Sequence, residues 1–220
     1  LVAAGGITAG NALGQQLSRP GDWQIAACDV GQGDAVLVRS LGRIAMIDTG
    51  RDPKLLRRCL NELGINRVDL LVLTHWDMDH VGGTSAILGR VTRAMIGPTD
   101  GSPAAAIGGE LAASGAAVSQ VSQGLTGQLG ELGWEVLWPR TRLGSVEPGN
   151  DASVTLRFTG IGACVSGCLS SLFLGDLGDR PQALMMAANR IGPVDVVKVA
   201  HHGSADQNPK LYAAVRASVG

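Results

Sequence analysis

All four histidines of this chain lie in two tight groups. The first is Thr74-His75-Trp76-Asp77-Met78-Asp79-His80, followed by Val81-Gly82-Gly83; the second is His201-His202-Gly203-Ser204. Alternate positions of a short extended loop project to one side, so His75, Asp77 and Asp79 share a direction, with His80 beside them. Bringing several unpaired carboxylates together is costly, and a divalent cation compensates that charge. Metal binding is the chemistry this spacing supports. Between the two groups, Leu172-Phe173-Leu174-Gly175-Asp176 sets an aspartate at the mouth of an apolar run. A lone His-x-Asp in a loop is ordinarily solvated surface. Three apolar runs that each end in metal-ligand residue types, with no histidine elsewhere, form a pattern that solvation alone does not produce.

These residues need elements to position them. From Trp23 to Val30 the chain reads as an apolar strand, closed by the turn Gly31-Gln32-Gly33-Asp34. Ala35 to Arg39 and Arg43 to Ile47 read as two strands joined at Leu41-Gly42. Asp52-Pro53 opens a helix whose stripe of Leu55, Leu56, Cys59, Leu60 and Leu63 ends at Gly64. Val68 to Leu73 is nearly continuous in apolar residues, as a strand buried on both faces requires. Further strands are expected at 94–96, 117–121, 134–138, 153–158, 171–174 and 194–200, with helices at 104–114, 181–189 and from Pro209. Both histidine groups and Asp176 thus follow predicted buried strands, and strand ends are where open α/β sheets gather their ligands.

Composition narrows the function further. The 220 residues suit one compact unit over 22–220, after an Ala- and Gly-rich opening, 1–21, read as a linker or the remnant following a membrane region. A chain 45% hydrophobic and 17% charged, with mean hydropathy +0.18, is neither disordered, coiled-coil nor collagen-like. A net charge of −1 removes bulk attraction as a basis for avid duplex binding and leaves only a local basic groove. Arg57-Arg58 reads as the solvated face of its helix. Four cysteines do not make a disulfide-rich scaffold at this length; Cys164 and Cys168 are close enough to pair across a hairpin in an oxidising compartment, and the sequence leaves that open. Gly31-Gln32-Gly33 is too short for a dinucleotide loop and no Walker lysine follows a glycine run, so no nucleotide cofactor is expected.

His75-x-Asp77-x-Asp79-His80 resembles the His-x-His-x-Asp-His signature of the metallo-β-lactamase superfamily, and the variant with Asp in second place is similar to the ComEC competence-protein family. Asp29-Val30-Gly31-Gln32-Gly33-Asp34-Ala35, Ile47-Asp48-Thr49-Gly50, Gly149-Asn150-Asp151-Ala152-Ser153, Leu174-Gly175-Asp176 and Lys198-Val199-Ala200-His201-His202-Gly203-Ser204 match that family in order. The resemblance implies an α/β protein with the four-layer αβ/βα sandwich, following a membrane channel for DNA uptake and sited on the extracytoplasmic side. It implies two divalent ions. His75 and Asp77 would hold the first, Asp79 and His80 the second, and Asp176 would bridge them. One of His201 and His202 completes the second site; His201 is preferred as nearer the strand end, leaving His202 behind it or facing substrate. The usual third histidine of the first site has no counterpart, and Asn150 or Asp151 occupies its neighbourhood. Oxygen-rich coordination favours Mn²⁺, with Mg²⁺ or Zn²⁺ as alternatives.

The activity so implied is phosphodiester hydrolysis of DNA, the single strand in particular, by a metal-activated water that Asp79 or Asp176 orients. Ser153, Lys198 and Ser204 are candidates to touch phosphate, and the Gly-Gln-Gly turn positions Asp34. Asp48-Thr49-Gly50 reads as a turn supporting the metal loop. The family's domains continue past Ala217-Ser218-Val219-Gly220 into a further strand and a Gly-His-Pro turn, so the domain reads as truncated at its C-terminus. Two alternatives stand beside this expectation: an envelope phosphodiesterase acting on a small phosphoester or choline-phosphate ester, and a non-catalytic, metal-stabilised module of a DNA channel.

Overall fold

The computed structural model describes residues 21–220, so the linker expected over 1–21 lies, apart from Gly21, outside the described residues. Two sheets form the centre. The first has six strands in sequential order: β1 (Ile25–Ala27), β2 (Val36–Ser40), β3 (Arg43–Ile47), β4 (Val68–Leu73), β5 (Val91–Ile96) and β6 (Ala117–Gln120). β1, β2 and β3 are antiparallel neighbours, whereas β3 to β6 run parallel. The second sheet contains β7 (Thr126–Leu129), β8 (Leu132–Trp138), β9 (Thr155–Gly160), β10 (Ser171–Phe173) and β11 (Val196–Lys198), ordered β11-β10-β9-β8-β7, with only β10 and β11 parallel.

Alternation along the strands builds three apolar layers. Val36 and Val38 of β2, with Ala45, Ile47, Leu70, Val72 and Met95, meet Leu132, Trp134, Val136, Leu156, Phe158 and Phe173 of the second sheet. The intervening Leu37, Ile44, Met46, Leu71 and Leu73 point the other way, onto α1 (Pro53–Glu62) through Leu56 and Leu60 and onto α3 (Ile107–Ala113) through Leu111. Behind the second sheet, α4 (Asp179–Ala188) contributes Met185 and α5 (Pro209–Val215) contributes Leu211 and Val215. The result is the expected helix–sheet–sheet–helix sandwich. Among the described residues no helix is long and apolar enough to cross a membrane.

Two disulfides join this frame. Cys164–Cys168 closes the short loop before β10, the pairing the sequence left open. Cys28–Cys59 ties the chain just after β1 to α1, where the sequence placed Cys59 merely in an apolar stripe.

Candidate metal centre

Four parallel-running strands, two from each sheet, end at one place. After β3 comes Asp48, after β4 the loop Thr74 to Asp77 leading into α2 (Met78–Val81), after β10 Asp176, and after β11 the turn His201–Gly203. The four histidines, far apart in sequence, there meet a single carboxylate. Asp176 Oδ2 lies 3.2 Å from His80 Nε2, 3.5 Å from His202 Nε2, 3.8 Å from His201 Nε2 and 3.9 Å from His75 Nε2. Asp77 Oδ2 is 3.5 Å from His75 Nε2, and Asp79 Oδ2 is 3.3 Å from His202 Nε2.

Asp34, His80, Asp176 and His202 each offer a ligand atom, all four within 4.8 Å of one another. Two expectations change here. Asp34, read as supporting the ligands or touching substrate, joins the cluster itself, with Oδ1 3.5 Å from His202 Nδ1. His202 reaches three carboxylates, whereas His201 reaches only Asp176, because left-handed backbone at both residues (φ 48° and 51°) swings the second ring inward. Nearness to the strand end is overridden by the turn. Asp34 arrives through a glycine the fold requires: Gly33 has φ 106°, and a Cβ there would overlap the Asp79 carbonyl. The Asp34 amide donates to that same carbonyl at 3.2 Å.

The ring orientations follow from one buried residue. Asp48, with φ 59° and 1% exposure, accepts from the Thr74 amide (2.8 Å), the Thr74 hydroxyl (2.7 Å) and His80 Nδ1 (2.8 Å). The Thr74 hydroxyl proton is thereby committed, so Thr74 Oγ1 can only accept from His75 Nδ1, 3.0 Å away. His75 therefore carries its proton on Nδ1 and turns the Nε2 lone pair into the site. His80 is oriented the same way by Asp48 directly. Ser153 Oγ, 3.3 Å from His75 Nδ1, also accepts the Asp176 amide at 3.2 Å, linking the ligands of the two sheets.

The charges are strongly coupled. Burial alone would lower the His80 pKa, but the Asp48 and Asp176 carboxylates overcome it and raise the imidazole to about 10. Burial and the neighbouring His80 charge push His75 below its usual range. For Asp176, burial favours the neutral acid, yet the hydrogen bond and charge of His80, with His75 and Lys198 adding to it, hold the carboxyl well below the carboxylate range. Lys198 ion-pairs with Asp34 inside the cluster.

Does this donor set fit a metal? His75 Nε2 and Asp176 Oδ1 are buried without a hydrogen-bond partner, while His80 Nε2 meets only Asp176 Oδ2 and Asp34 Oδ2 only Lys198 within the buried cluster. Unpaired polar atoms at such depth are expensive, and a divalent cation satisfies them together. The residues fit. Asn150 and Asp151 lie in the turn before Ser153, and among the described residues neither side chain makes a hydrogen bond or ion pair with the cluster. Ser204 Oγ is buried and unpaired. Trp76 is buried, with Nε1 donating to the Pro98 carbonyl at 2.7 Å, so it covers the metal loop rather than facing substrate.

Sheets, layers and site together define a metallo-β-lactamase fold, and residues 28–92 match the family model of the metallo-β-lactamase superfamily. A metallo-β-lactamase from Cronobacter sakazakii superposes with a TM-score of 0.58 over 79% of this chain and 76% of that one, at 15% identity. The chain has a metallo-β-lactamase-like fold, and two curated proteins are similar to it in sequence. It is 29% identical to ComE operon protein 3 of Bacillus subtilis (strain 168) over 82% of its length, and 41% identical to competence protein ComA of Neisseria gonorrhoeae over 29% of its length. It spans 25% and 10% of the lengths of those two relatives.

Proposed function

We propose that this domain is a metal-dependent phosphodiesterase acting on DNA, as part of a membrane-associated DNA-uptake protein. The observation that carries the reading is the meeting of all four histidines at Asp176 Oδ2, with unpaired ligand atoms of both sheets around it. Competence proteins as relatives support DNA as the substrate and a membrane channel as the partner. Two disulfides support an oxidising, extracytoplasmic location.

His75 and Asp77 would hold one ion, Asp34, Asp79, His80 and His202 a second, with Asp176 between them. Divalent ions supply Lewis acidity there, polarising a phosphoryl oxygen and making water nucleophilic at neutral pH. The protein's own groups do the rest. Asp48 and Thr74 accept hydrogen bonds from Nδ1 of His80 and His75, so both buried imidazoles present Nε2 to the site, and His80 gives up the second proton that the carboxylates hold on it when an ion binds there. Asp79 Oδ2, within 3.5 Å of the exposed Gln32 amide, lies at the open side and is placed to orient water and take its proton. Lys198 is placed to meet a phosphate oxygen once Asp34 is engaged by an ion. The abundance of carboxylate donors favours Mn²⁺ or Mg²⁺ over Zn²⁺. Manganese-dependent cleavage of single-stranded DNA, lost in Asp79→Ala, tests the proposal. Absence of cleavage across a broad pH range with Mn²⁺, Mg²⁺ and Zn²⁺ would overturn it.

A further inference from the structure

Outside the metal centre, one surface combines unpaired positive charge with a path of contacts to the site. Lys54, Arg57 and Arg58 lie three and four residues apart on the exposed face of α1 and line one shallow groove. Arg58 is occupied by Glu62 at 2.8 Å, with Asp29 nearby, so it adds little free charge. Lys54 and Arg57 have no ion pair among the described residues, and the carboxylate of Asp52 is engaged by the Lys54 amide at 2.7 Å as the helix cap.

Arg51, just before that cap, continues the charge toward the centre. Its Nη1 is 3.5 Å from Gln32 Oε1, and Gln32 Nε2 is 3.5 Å from Asp79 Oδ2. The path thus runs from a candidate ligand through Gln32 to Arg51, then up the helix to Lys54 and Arg57. Lys54 and Arg57 are three residues apart, about 4.5 Å of helical rise, and Arg51 lies three residues before Lys54, so the cations follow one another along a line that the backbone of an extended strand can track. The face that reads from sequence as mere solvation therefore leads out of the site. With a chain charge of −1, attraction for a polyanion must come from such a local array.

We propose that Arg51, Lys54 and Arg57 form a docking track for the backbone of single-stranded DNA, carrying the strand away from the metal centre along the outer face of α1. The proposal rests on the phosphodiesterase reading for its substrate, but its test does not depend on turnover. Binding of a short, fluorescently labelled single-stranded oligonucleotide is followed by anisotropy in chelator, at low and moderate salt, for the wild type and Lys54→Glu/Arg57→Glu. The double variant should bind about tenfold more weakly at low salt, and the slope of log affinity against log salt should fall by about 1.4, or ~0.7 for each of two lost phosphate contacts. Arg67→Glu/Arg93→Glu makes the same charge change on exposed residues, at the far end of β4 and along β5, and should keep most of the affinity. Equal losses in the two double variants, or unchanged binding in Lys54→Glu/Arg57→Glu, overturn the track. Hydrolysis of a small chromogenic phosphodiester with Mn²⁺ should be unaltered by Lys54→Glu/Arg57→Glu, which also reports that the variant is folded. A wild type that turns over the small ester but does not bind the oligonucleotide defeats the track and leaves the phosphodiesterase reading standing. A wild type that binds the oligonucleotide through this face yet hydrolyses nothing supports the track and defeats the enzyme.

Discussion

Removing a single hydroxyl tests how the centre is organised. Thr74→Val keeps the side-chain shape but deletes the proton given to Asp48 at 2.7 Å and the oxygen facing His75 Nδ1 at 3.0 Å. Asp48 retains the Thr74 amide and His80 as donors, while His75 Nδ1–H keeps only Ser153 Oγ at 3.3 Å. A hydrogen bond to a buried charged group is worth about 1.5–3 kcal/mol, so metal-free protein should lose about 2 kcal/mol. For a domain of this size that corresponds to a melting temperature about 4–8 °C lower. Left with Ser153 Oγ alone, which can donate as well as accept, His75 can move its proton to Nε2, and Mn²⁺ affinity should fall about 10–100-fold. Thr74→Ser should restore both properties. Thermal unfolding in chelator, Mn²⁺ calorimetry and ¹⁵N NMR of the His75 ring report stability, affinity and tautomer separately. Wild-type Mn²⁺ affinity in Thr74→Val, with the His75 proton still on Nδ1, would refute the relay from Asp48 through Thr74.

Two further changes probe how the ligands are delivered. Gly33→Ala places a side chain where φ is 106° and the Asp79 carbonyl fills the space, so the loop must shift. It should cost more than about 1 kcal/mol in urea unfolding and weaken Mn²⁺ binding, because Asp34 leaves the cluster; wild-type behaviour in both measurements would exclude a role for this close approach. Cys28→Ser/Cys59→Ser opens a crosslink with a sequence separation of 31, which should cost about 3–4 kcal/mol in urea unfolding. Opening Cys164–Cys168, with a separation of 4, should cost about 2 kcal/mol by the same chain-entropy relation, so equal losses would contradict it.

The parts legible in the sequence are those with a local signature. Val68 to Leu73 is apolar but for Asp69 and forms β4 over the same span, while the Asp52-Pro53 start yields α1. The strand β7 has no local signature, because Thr126–Leu129 is short, buries only Leu129 and shows no apolar alternation. The single helix expected over 104–114 is instead a 3₁₀ turn, Pro103–Ala106, followed by α3, in a stretch that Gly108 and Gly109 weaken as a helix. At the site, residue types and strand ends foretold the convergence, since both depend only on nearby sequence. The inward turn of His202 depends on left-handed backbone at His201 and His202 themselves, residue types that do not announce such a conformation. The entry of Asp34 depends on a loop pressing against Asp79 from far along the chain. The pairing of Cys28 with Cys59 is likewise tertiary information.

The central claim is that Asp176 gathers the histidines of both sheets around cations. Elemental analysis of protein purified without chelator, followed by Mn²⁺ calorimetry on the wild type and Asp176→Asn, tests it most directly. The account predicts bound or readily bound divalent metal in the wild type and at least about a hundredfold weaker binding once the shared carboxylate is gone. A wild type that takes up no ion at saturating concentrations, or an Asp176→Asn protein that binds equally well, would contradict it.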